Sequence, residues 1–131
     1  MQLPIVKTKI QIRYADLDPL DHVSNTVYGQ YFELGRMAWY DAILKEQADT
    51  VIPTTVVANM TIDYIIELKL DDDVYVETAC VKKGNKSFHL SQNIYANGRL
   101  ATRSTVVMVG FDKETRTTCV PLAGWQPSES N

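Results

Sequence analysis

The stretch from Arg13 to Tyr28, RYADLDPLDHVSNTVY, carries more residues capable of chemistry than any other part of the chain. It contains three acids and one histidine: Asp16, Asp18, Asp21 and His22. Ser24 and Asn25 follow, and both residue types are typical of a helix start. A helix N-terminus presents free N–H groups and a positive dipole end, so an acid beside it faces a site that polarises carbonyl oxygens. This combination favours hydrolysis of an acyl group.

Each polar residue of the loop has more than one interpretation. Asp18, directly before Pro19, could act as a general base or as a nucleophile, and the sequence leaves these two routes open. It could equally be a turn aspartate that accepts hydrogen bonds from nearby backbone N–H groups. His22 could donate to the substrate, orient Asp18, or bond to the backbone of its own turn. We expect Asp16 and Asp21 to order the loop through local hydrogen bonds.

The clustered acids also suggest a metal site, and their spacing argues against one. A calcium loop of the EF-hand type requires oxygen ligands at fixed offsets, a glycine at the sixth position and a late glutamate. Counted from Asp16, the sixth position is Asp21, while Pro19 and Leu20 occupy interior positions. We therefore expect neither a metal nor a cofactor.

Length and composition set outer limits. With 131 residues, 45% of them hydrophobic and 22% charged, the chain is predicted to form one globular domain over residues 1–131. A net charge of −3 argues against nucleic acid as a partner. Cys80 and Cys119 are the only cysteines, and their separation argues against a disulfide scaffold or zinc site. Charges interrupt the first apolar run and no apolar run is long enough to span a membrane, so we expect a cytoplasmic protein.

Periodicity predicts the elements that position the loop. Residues 7–13 alternate between apolar and polar, which indicates a strand before the loop. From about Thr26 apolar residues recur at helical spacing over a wide stripe, which indicates a long and mainly buried helix. The helix is predicted to end near Lys45, because Pro53 prevents its continuation.

Four strands are predicted after Pro53, at residues 56–68, 74–81, 88–96 and 100–111. Turns at 71–73, 84–85 and Asn97–Gly98 join them, so consecutive strands are expected to be antiparallel neighbours. The pattern predicts an α+β fold in which a curved antiparallel sheet wraps around one helix. Exposed sheet edges and a last strand apolar on both faces predict a homodimer or homotetramer. The polar tail is expected to fray.

The loop and the first half of the helix resemble the hydroxybenzoyl-CoA thioesterase branch of the hot-dog-fold superfamily. The resemblance rests on three motifs: Tyr14-x-Asp16-x-Asp18-Pro19, His22-Val23-Ser24-Asn25 and Tyr28-x-x-Tyr31-Phe32-Glu33-x-x-Arg36. It implies a sheet wrapped around a central helix, dimers that often pair into tetramers, and hydrolysis of acyl-CoA thioesters without a metal. It also implies that Asp18 is the catalytic acid and that the carbonyl-polarising N–H lies near Asn25. The family usually has glycine in place of Asp21 and asparagine in place of Ser24.

Further residues become candidates through this resemblance. Coenzyme A carries phosphates, and a lysine cluster around the 84–85 turn, with Lys83, Lys86 and the hydroxyl of Ser87, could bind them. The same cluster could simply be a solvated hairpin end. Ser24 and Tyr28 are candidates for the substrate pocket, although both also fit a cap and a core position.

Glu33 and Arg36 lie one turn apart on the predicted helix. A charge on an apolar helix needs a partner, so we favour a structural ion pair between them. Some hot-dog thioesterases use a glutamate on this helix as the catalytic acid, which makes Glu33 the reserve candidate.

The leading hypothesis is therefore an acyl-CoA thioesterase that releases free acid and coenzyme A, with Asp18 as base or nucleophile and the helix start as oxyanion site. Two alternatives stay open. The substrate could be carried by an acyl-carrier protein instead of coenzyme A. The chain could also be a non-catalytic hot-dog module that binds acyl ligands.

Overall fold

One antiparallel sheet and one long helix dominate the fold across residues 1–50 and 52–129, the part of the chain that this computed structural model describes. The elements are β1 (Val6–Ile10), α1 (Tyr28–Glu46), β2 (Thr55–Tyr64), β3 (Val74–Lys83), β4 (Ser87–Ala96), β5 (Arg99–Asp112) and β6 (Thr117–Thr118). A short 3-10 turn, Tyr14–Asp16, follows β1. The strand order in the sheet is β1-β3-β4-β5-β2, and β6 pairs with the end of β5.

The alternation of apolar residues in β3, β4 and β5 decides which face of the sheet is buried. In β4, Phe88, Leu90 and Ile94 are fully buried, whereas alternate residues such as His89 are only half-buried. The turn between β4 and β5 has φ angles of 54° at Asn97 and 79° at Gly98. Both angles lie in the left-handed region that a type I′ turn requires, which confirms the predicted hairpin.

The position of β2 differs from the prediction. β2 pairs with β5, from Thr55 opposite Gly110 to Tyr64 opposite Thr102, and is not a neighbour of β3. The strand ends at Tyr64 rather than at residue 68. The prediction of consecutive neighbours is therefore wrong for β2 and β3, because residues 65–73 form a crossing connection instead of a hairpin.

Helix α1 packs one face against the sheet. A Cβ atom added at Gly35 would lie 2.9 Å from Val76 Cγ1 and 3.0 Å from Thr78 Oγ1, so glycine permits the close approach of helix and sheet. Phe32, Trp39 and Ile43 on the same side are fully buried. On the other side, Leu34, Met37 and Leu44 are 48%, 59% and 41% exposed. The prediction of a mainly buried helix thus holds for one face in the single chain.

Arg36 points into the sheet rather than toward Glu33. Its Nη1 donates to Gln92 Oε1 at 3.1 Å, while Gln92 Nε2 donates to the Phe32 carbonyl at 2.9 Å and to Thr78 Oγ1 at 3.0 Å. Burial lowers the pKa of the Arg36 guanidinium from its ordinary value. Glu33 is exposed, and no ion pair joins it to Arg36 in the described part of the chain. The expected pair is therefore wrong within the single chain, because the two side chains leave the helix in different directions, and a pair across a dimer interface stays a prediction.

The C-terminal segment is packed rather than frayed as far as Ser128. Leu122 and Trp125 are 1% and 4% exposed and belong to the core around Trp39. Ser128 Oγ accepts from the Cys80 N–H at 3.0 Å and donates to the Pro4 carbonyl at 3.1 Å. Residues 130–131 lie outside the described residues. Within the described residues, no helix combines the length and the apolar character needed to cross a membrane.

Candidate active site

A cleft of about 280 Å³ opens where the acidic loop meets the start of α1 and the connection after β2. It is lined by Asp18, His22, Val23, Asn25, Tyr28, Tyr64, Ile65, Ile66 and Glu67. Four larger surface depressions, of about 460, 340, 740 and 390 Å³, have no lining residue from the segment 17–28. Of these five, only the first cleft brings an acid, a histidine and a helix start together.

The first half of the loop is held by the buried carboxylate of Asp16. Its Oδ2 accepts from the Arg13 backbone N–H at 3.0 Å and from the Tyr31 hydroxyl at 2.6 Å. Its Oδ1 accepts from Arg13 Nε at 3.1 Å and Nη2 at 2.7 Å. Burial alone would raise the pKa of Asp16, but the hydrogen bonds from Tyr31 and Arg13 outweigh it and lower the pKa below its ordinary value. Asp16 is therefore an ionised structural anchor.

The second half of the loop is a tight turn that carries Asp18. The Asp18 N–H donates to the His22 carbonyl at 2.9 Å, and the Asp21 N–H donates to the Asp18 carbonyl at 3.0 Å. Asp21 has a φ of 64°, a left-handed conformation that aspartate tolerates better than most residues. The aspartate thus supports the turn where the family usually has glycine.

The carboxylate of Asp18 is half-buried, lines the cleft and accepts few hydrogen bonds from the protein. Its Oδ1 accepts from the Leu20 N–H at 2.9 Å, and within the described residues this is its one hydrogen bond. Asp18 is therefore a turn aspartate and a cleft-lining acid at once, since one oxygen caps the turn and the other stays free of protein donors. The two interpretations made from the sequence are compatible.

The helix start is displaced from the predicted position. The Ser24 carbonyl accepts from the Val27 N–H at 2.9 Å, and Ser24 Oγ accepts weakly from the Thr26 N–H at 3.4 Å. Regular α-helix begins only at Tyr28, so Ser24 caps a preceding turn rather than α1 itself. The Asn25 N–H has no acceptor in the described part of the chain, which leaves a free donor beside the cleft.

Two aromatic rings form the apolar wall of the cleft. Tyr28 and Tyr64 meet edge to face, with 5.0 Å between ring centroids and an interplanar angle of 86°. Tyr28 is 3% exposed, and burial raises the pKa of its hydroxyl. Tyr28 therefore belongs to the core and also lies at the edge of the cleft.

Glu67 is a cleft residue that sequence reasoning missed. Its Oε2 lies 3.3 Å from His22 Nε2, and its Oε1 lies 3.6 Å from Lys69 Nζ. The segment 65–73 was predicted as the end of a strand and a hairpin turn, so nothing in the local pattern connected Glu67 to His22. The long-range backbone bond from the Val23 N–H to the Leu68 carbonyl, at 2.8 Å, brings the two segments together.

Lys83, Lys86 and Ser87 lie at the other end of the sheet from this cleft. Ser87 is opposite Val109 in the register, whereas Tyr64 at the cleft is opposite Thr102, so roughly 25 Å of β5 separates the two ends. Lys83 Nζ donates to the carbonyls of Leu122 at 2.5 Å and Trp125 at 2.9 Å. Lys83 is thus engaged in holding the C-terminal segment. Glu33, the reserve acid, is also absent from the cleft lining.

Metal-binding side chains do not converge here. In residues 1–50 and 52–129, no three His, Cys, Asp or Glu side chains are grouped so that they could hold a metal ion. Cys80 and Cys119 are both free.

Comparison with known proteins gives the class of this fold and site. The thioesterase-like superfamily matches residues 12–128. Because this match spans most of the chain, the chain belongs to the thioesterase-like superfamily, and it is a thioester hydrolase with the hot-dog fold. No curated protein matches it in sequence.

Solved structures show the same architecture. A thioesterase from Thermus thermophilus, complexed with coenzyme A and Zn, is 31% identical, with a TM-score of 0.77 and 93% of each chain covered. A predicted thioesterase from Bacillus stearothermophilus is 24% identical, with a TM-score of 0.78 and coverage of 92% of this chain and 90% of that one. A mutant 4-hydroxybenzoyl CoA thioesterase complexed with 4-hydroxybenzoyl CoA is 14% identical, with a TM-score of 0.77 and coverage of 92% and 94%. These likenesses confirm the predicted fold.

Proposed function

We propose that the chain hydrolyses acyl-CoA thioesters to free acid and coenzyme A in the cleft between Asp18 and the start of α1. The observation that carries the proposal is that Asp18 and Asn25 line one cleft, the first with a carboxylate oxygen free of protein donors and the second with a free N–H. The thioesterase from Thermus thermophilus, complexed with coenzyme A, supports coenzyme A as the carrier.

The chemistry needs a group that delivers oxygen to the carbonyl carbon and a donor for the oxyanion. As a general base, Asp18 would take a proton from water while the water oxygen bonds to the carbonyl carbon. As a nucleophile, its carboxylate would form a mixed anhydride that water then hydrolyses. In both routes the C–S bond breaks and the thiolate of coenzyme A leaves and is protonated. The Asn25 N–H would stabilise the oxyanion, an effect worth on the order of 3 kcal/mol in well-studied hydrolases.

The phosphate contacts proposed for Lys86 and Ser87 require a second subunit. These residues lie at the far end of the sheet from Asp18 in the same chain. We therefore propose that they meet the nucleotide of a substrate whose acyl group sits in another chain of a homo-oligomer. Lys83 is the weaker candidate, because its ammonium already serves two carbonyl groups.

The unpaired edge of β2 supports the proposed oligomer. β2 is ten residues long and lies at the end of the strand order, so one of its edges is unpaired in the described chain. Val56, Val57 and Tyr64 on this strand are 42%, 45% and 52% exposed. A long apolar edge strand is a liability for an isolated chain and is suited to pairing with a second copy. Light scattering coupled to size-exclusion chromatography distinguishes monomer, dimer and tetramer.

A steady-state assay with a thiol-trapping dye over a panel of acyl-CoA substrates tests the activity. We expect turnover of at least one acyl-CoA and its loss in Asp18→Asn. If Asp18→Asn retained the wild-type kcat/KM on the best substrate, the assignment of Asp18 would be wrong. The same acyl group offered on coenzyme A and on an acyl-carrier protein identifies the carrier, and a preference for the protein thioester would replace coenzyme A in the proposal.

A further inference from the structure

The carboxylate of Glu67 occupies a place in the cleft that the proposed chemistry does not use. Glu67 lies in the connection after β2, yet its Oε2 reaches His22 Nε2 at 3.3 Å across the mouth of the cleft. The two residues are 45 positions apart in the sequence, so only the fold brings them together. Both side chains remain partly accessible, with 28% exposure for His22 and 48% for Glu67.

His22 is tied directly to the turn that carries Asp18. Its carbonyl accepts from the Asp18 N–H at 2.9 Å, and the neighbouring residues Leu17 and Val23 form an isolated antiparallel bridge. Asp18 itself has one side-chain hydrogen bond in the described chain, to the Leu20 N–H within the same turn. The orientation of this turn therefore depends on contacts made by its neighbours, and the pair of His22 with Glu67 is a side-chain contact on the cleft side.

We propose that Glu67 is a positioning residue for thioester hydrolysis and that it acts through His22, by holding the imidazole ring at the edge of the cleft through the 3.3 Å contact between Oε2 and Nε2. The inference rests on the proposed function. The contact between Glu67 Oε2 and His22 Nε2 is an ion pair when His22 is protonated, so the carboxylate restrains the orientation of the ring. An acid that orients a histidine beside a reacting group is a recurrent arrangement in hydrolases.

The rival explanation is an ordinary surface ion pair. Exposed pairs of this kind contribute little to stability, and Glu67 already has a second cation, Lys69 Nζ, at 3.6 Å. The two explanations differ in what they affect. A surface pair would change stability slightly and turnover not at all, whereas a positioning role changes kcat at nearly constant stability and only while His22 is present.

A double-mutant cycle of Glu67 and His22 distinguishes a positioning role from a surface ion pair. We expect Glu67→Ala to lower kcat about tenfold, within the range that coupled neighbours show, with KM and melting temperature close to wild type. We expect Glu67→Gln, which keeps the side-chain length and an oxygen within reach of Nε2, to recover most of this loss. In the His22→Ala background, Glu67→Ala should have no further effect on kcat. Lys69→Gln is the matched control, since it removes the other charged partner of Glu67 and should leave kcat unchanged.

The imidazole itself provides a readout independent of activity. The chain has two histidines, so a spectrum of ¹⁵N-labelled histidine contains His22 and, as an internal reference, His89 on β4. We expect Glu67→Ala to shift the ring nitrogen signals of His22 and leave those of His89 in place.

Several results would overturn this role of Glu67. Unchanged His22 signals, an unchanged kcat in Glu67→Ala, or equal losses of kcat with and without His22 would each do so. A wild-type chain that hydrolyses no thioester would instead overturn the proposed function itself. A wild-type chain that turns over normally, together with a fully active Glu67→Ala variant, would remove the role of Glu67 alone.

Discussion

Asp16 and Asp18 stand two residues apart in one loop and have opposite surroundings. Asp16 is 1% exposed and accepts four hydrogen bonds, three from Arg13 and one from Tyr31. Asp18 is half-buried and accepts one, from Leu20. The first carboxylate is saturated with donors and has no lone pair left for chemistry, whereas the second keeps an oxygen free beside the cleft. In this loop, the number of donors around each acid separates structural support from potential reactivity.

The different surroundings of Asp16 and Asp18 follow from their places in the fold. Asp16 ends the 3-10 turn after β1 and meets the hydroxyl of Tyr31 on the buried face of α1, so it joins the loop to the helix. Asp18 lies beyond this anchor, in a turn whose backbone hydrogen bonds are internal. The hydrogen-bonded half of the loop thus holds the half that lines the cleft, an arrangement that suits precise placement of the proposed catalytic carboxylate.

The largest effect is expected from Asp18→Asn. We expect kcat/KM to fall by about 10²–10⁴-fold, the usual contribution of a positioned base, while thermal unfolding stays near that of the wild type. Asp21→Asn is the matched control, because Asp21 belongs to the same turn and asparagine also tolerates its left-handed backbone. Equal losses of activity in both variants would show that the turn, rather than the Asp18 carboxylate, is required.

Asp16→Asn is expected to act on stability instead. An amide in place of the carboxylate turns its NH₂ group toward donors, so the free energy of unfolding should fall by about 2–3 kcal/mol. Urea denaturation followed by circular dichroism measures this loss. At a temperature where the variant remains folded, its kcat should stay well above that of Asp18→Asn. A stable Asp16→Asn variant without activity would reverse the roles assigned to the two acids.

Acid should remove the stability that the ionised Asp16 carboxylate contributes. Burial raises the pKa of Asp16. The hydrogen bonds from Tyr31 and Arg13 lower the pKa by more than burial raises it, so the folded-state pKa lies below the ordinary value of 3.8. The stability contributed by ionised Asp16 is therefore complete above about pH 4 and is lost as the pH falls through the lowered pKa. Between pH 7 and about pH 3 the wild type should lose more unfolding free energy than Asp16→Asn, and Tyr31→Phe should fall between them. Parallel curves for all three proteins would contradict this assignment.

The smallest effect is expected from Arg13→Gln. The Arg13 side chain is 65% exposed, and its backbone N–H continues to donate to Asp16 after the substitution. Solvent and salt screen exposed charges, so the loss of stability should be smaller than in Asp16→Asn and should shrink as salt is added. Thermal unfolding at two salt concentrations measures it. A loss as large as that of Asp16→Asn would make the guanidinium the main support of the loop.

The fold was predictable where local pattern decides structure. Strands β3, β4 and β5 follow the alternation of buried and exposed residues, and the Asn97–Gly98 turn follows from its residue types. The family motifs pointed to Asp18 and Asn25, and both residues line the cleft. The neighbour of β2 was predicted incorrectly, because strand alternation is the same whichever strand lies beside it.

The sequence by itself determined the strand and helix periodicities, the tight hairpin turn and the presence of several acids before a helix. These features depend on backbone preferences and on neighbours within a few residues. Only the tertiary structure decided that Asp16 is buried against Tyr31, that Lys83 holds the C-terminal segment, and that Glu67 meets His22. Each of these contacts joins segments distant in the chain. Its existence therefore depends on how the sheet and helix pack, which the order of residues along a strand does not reveal.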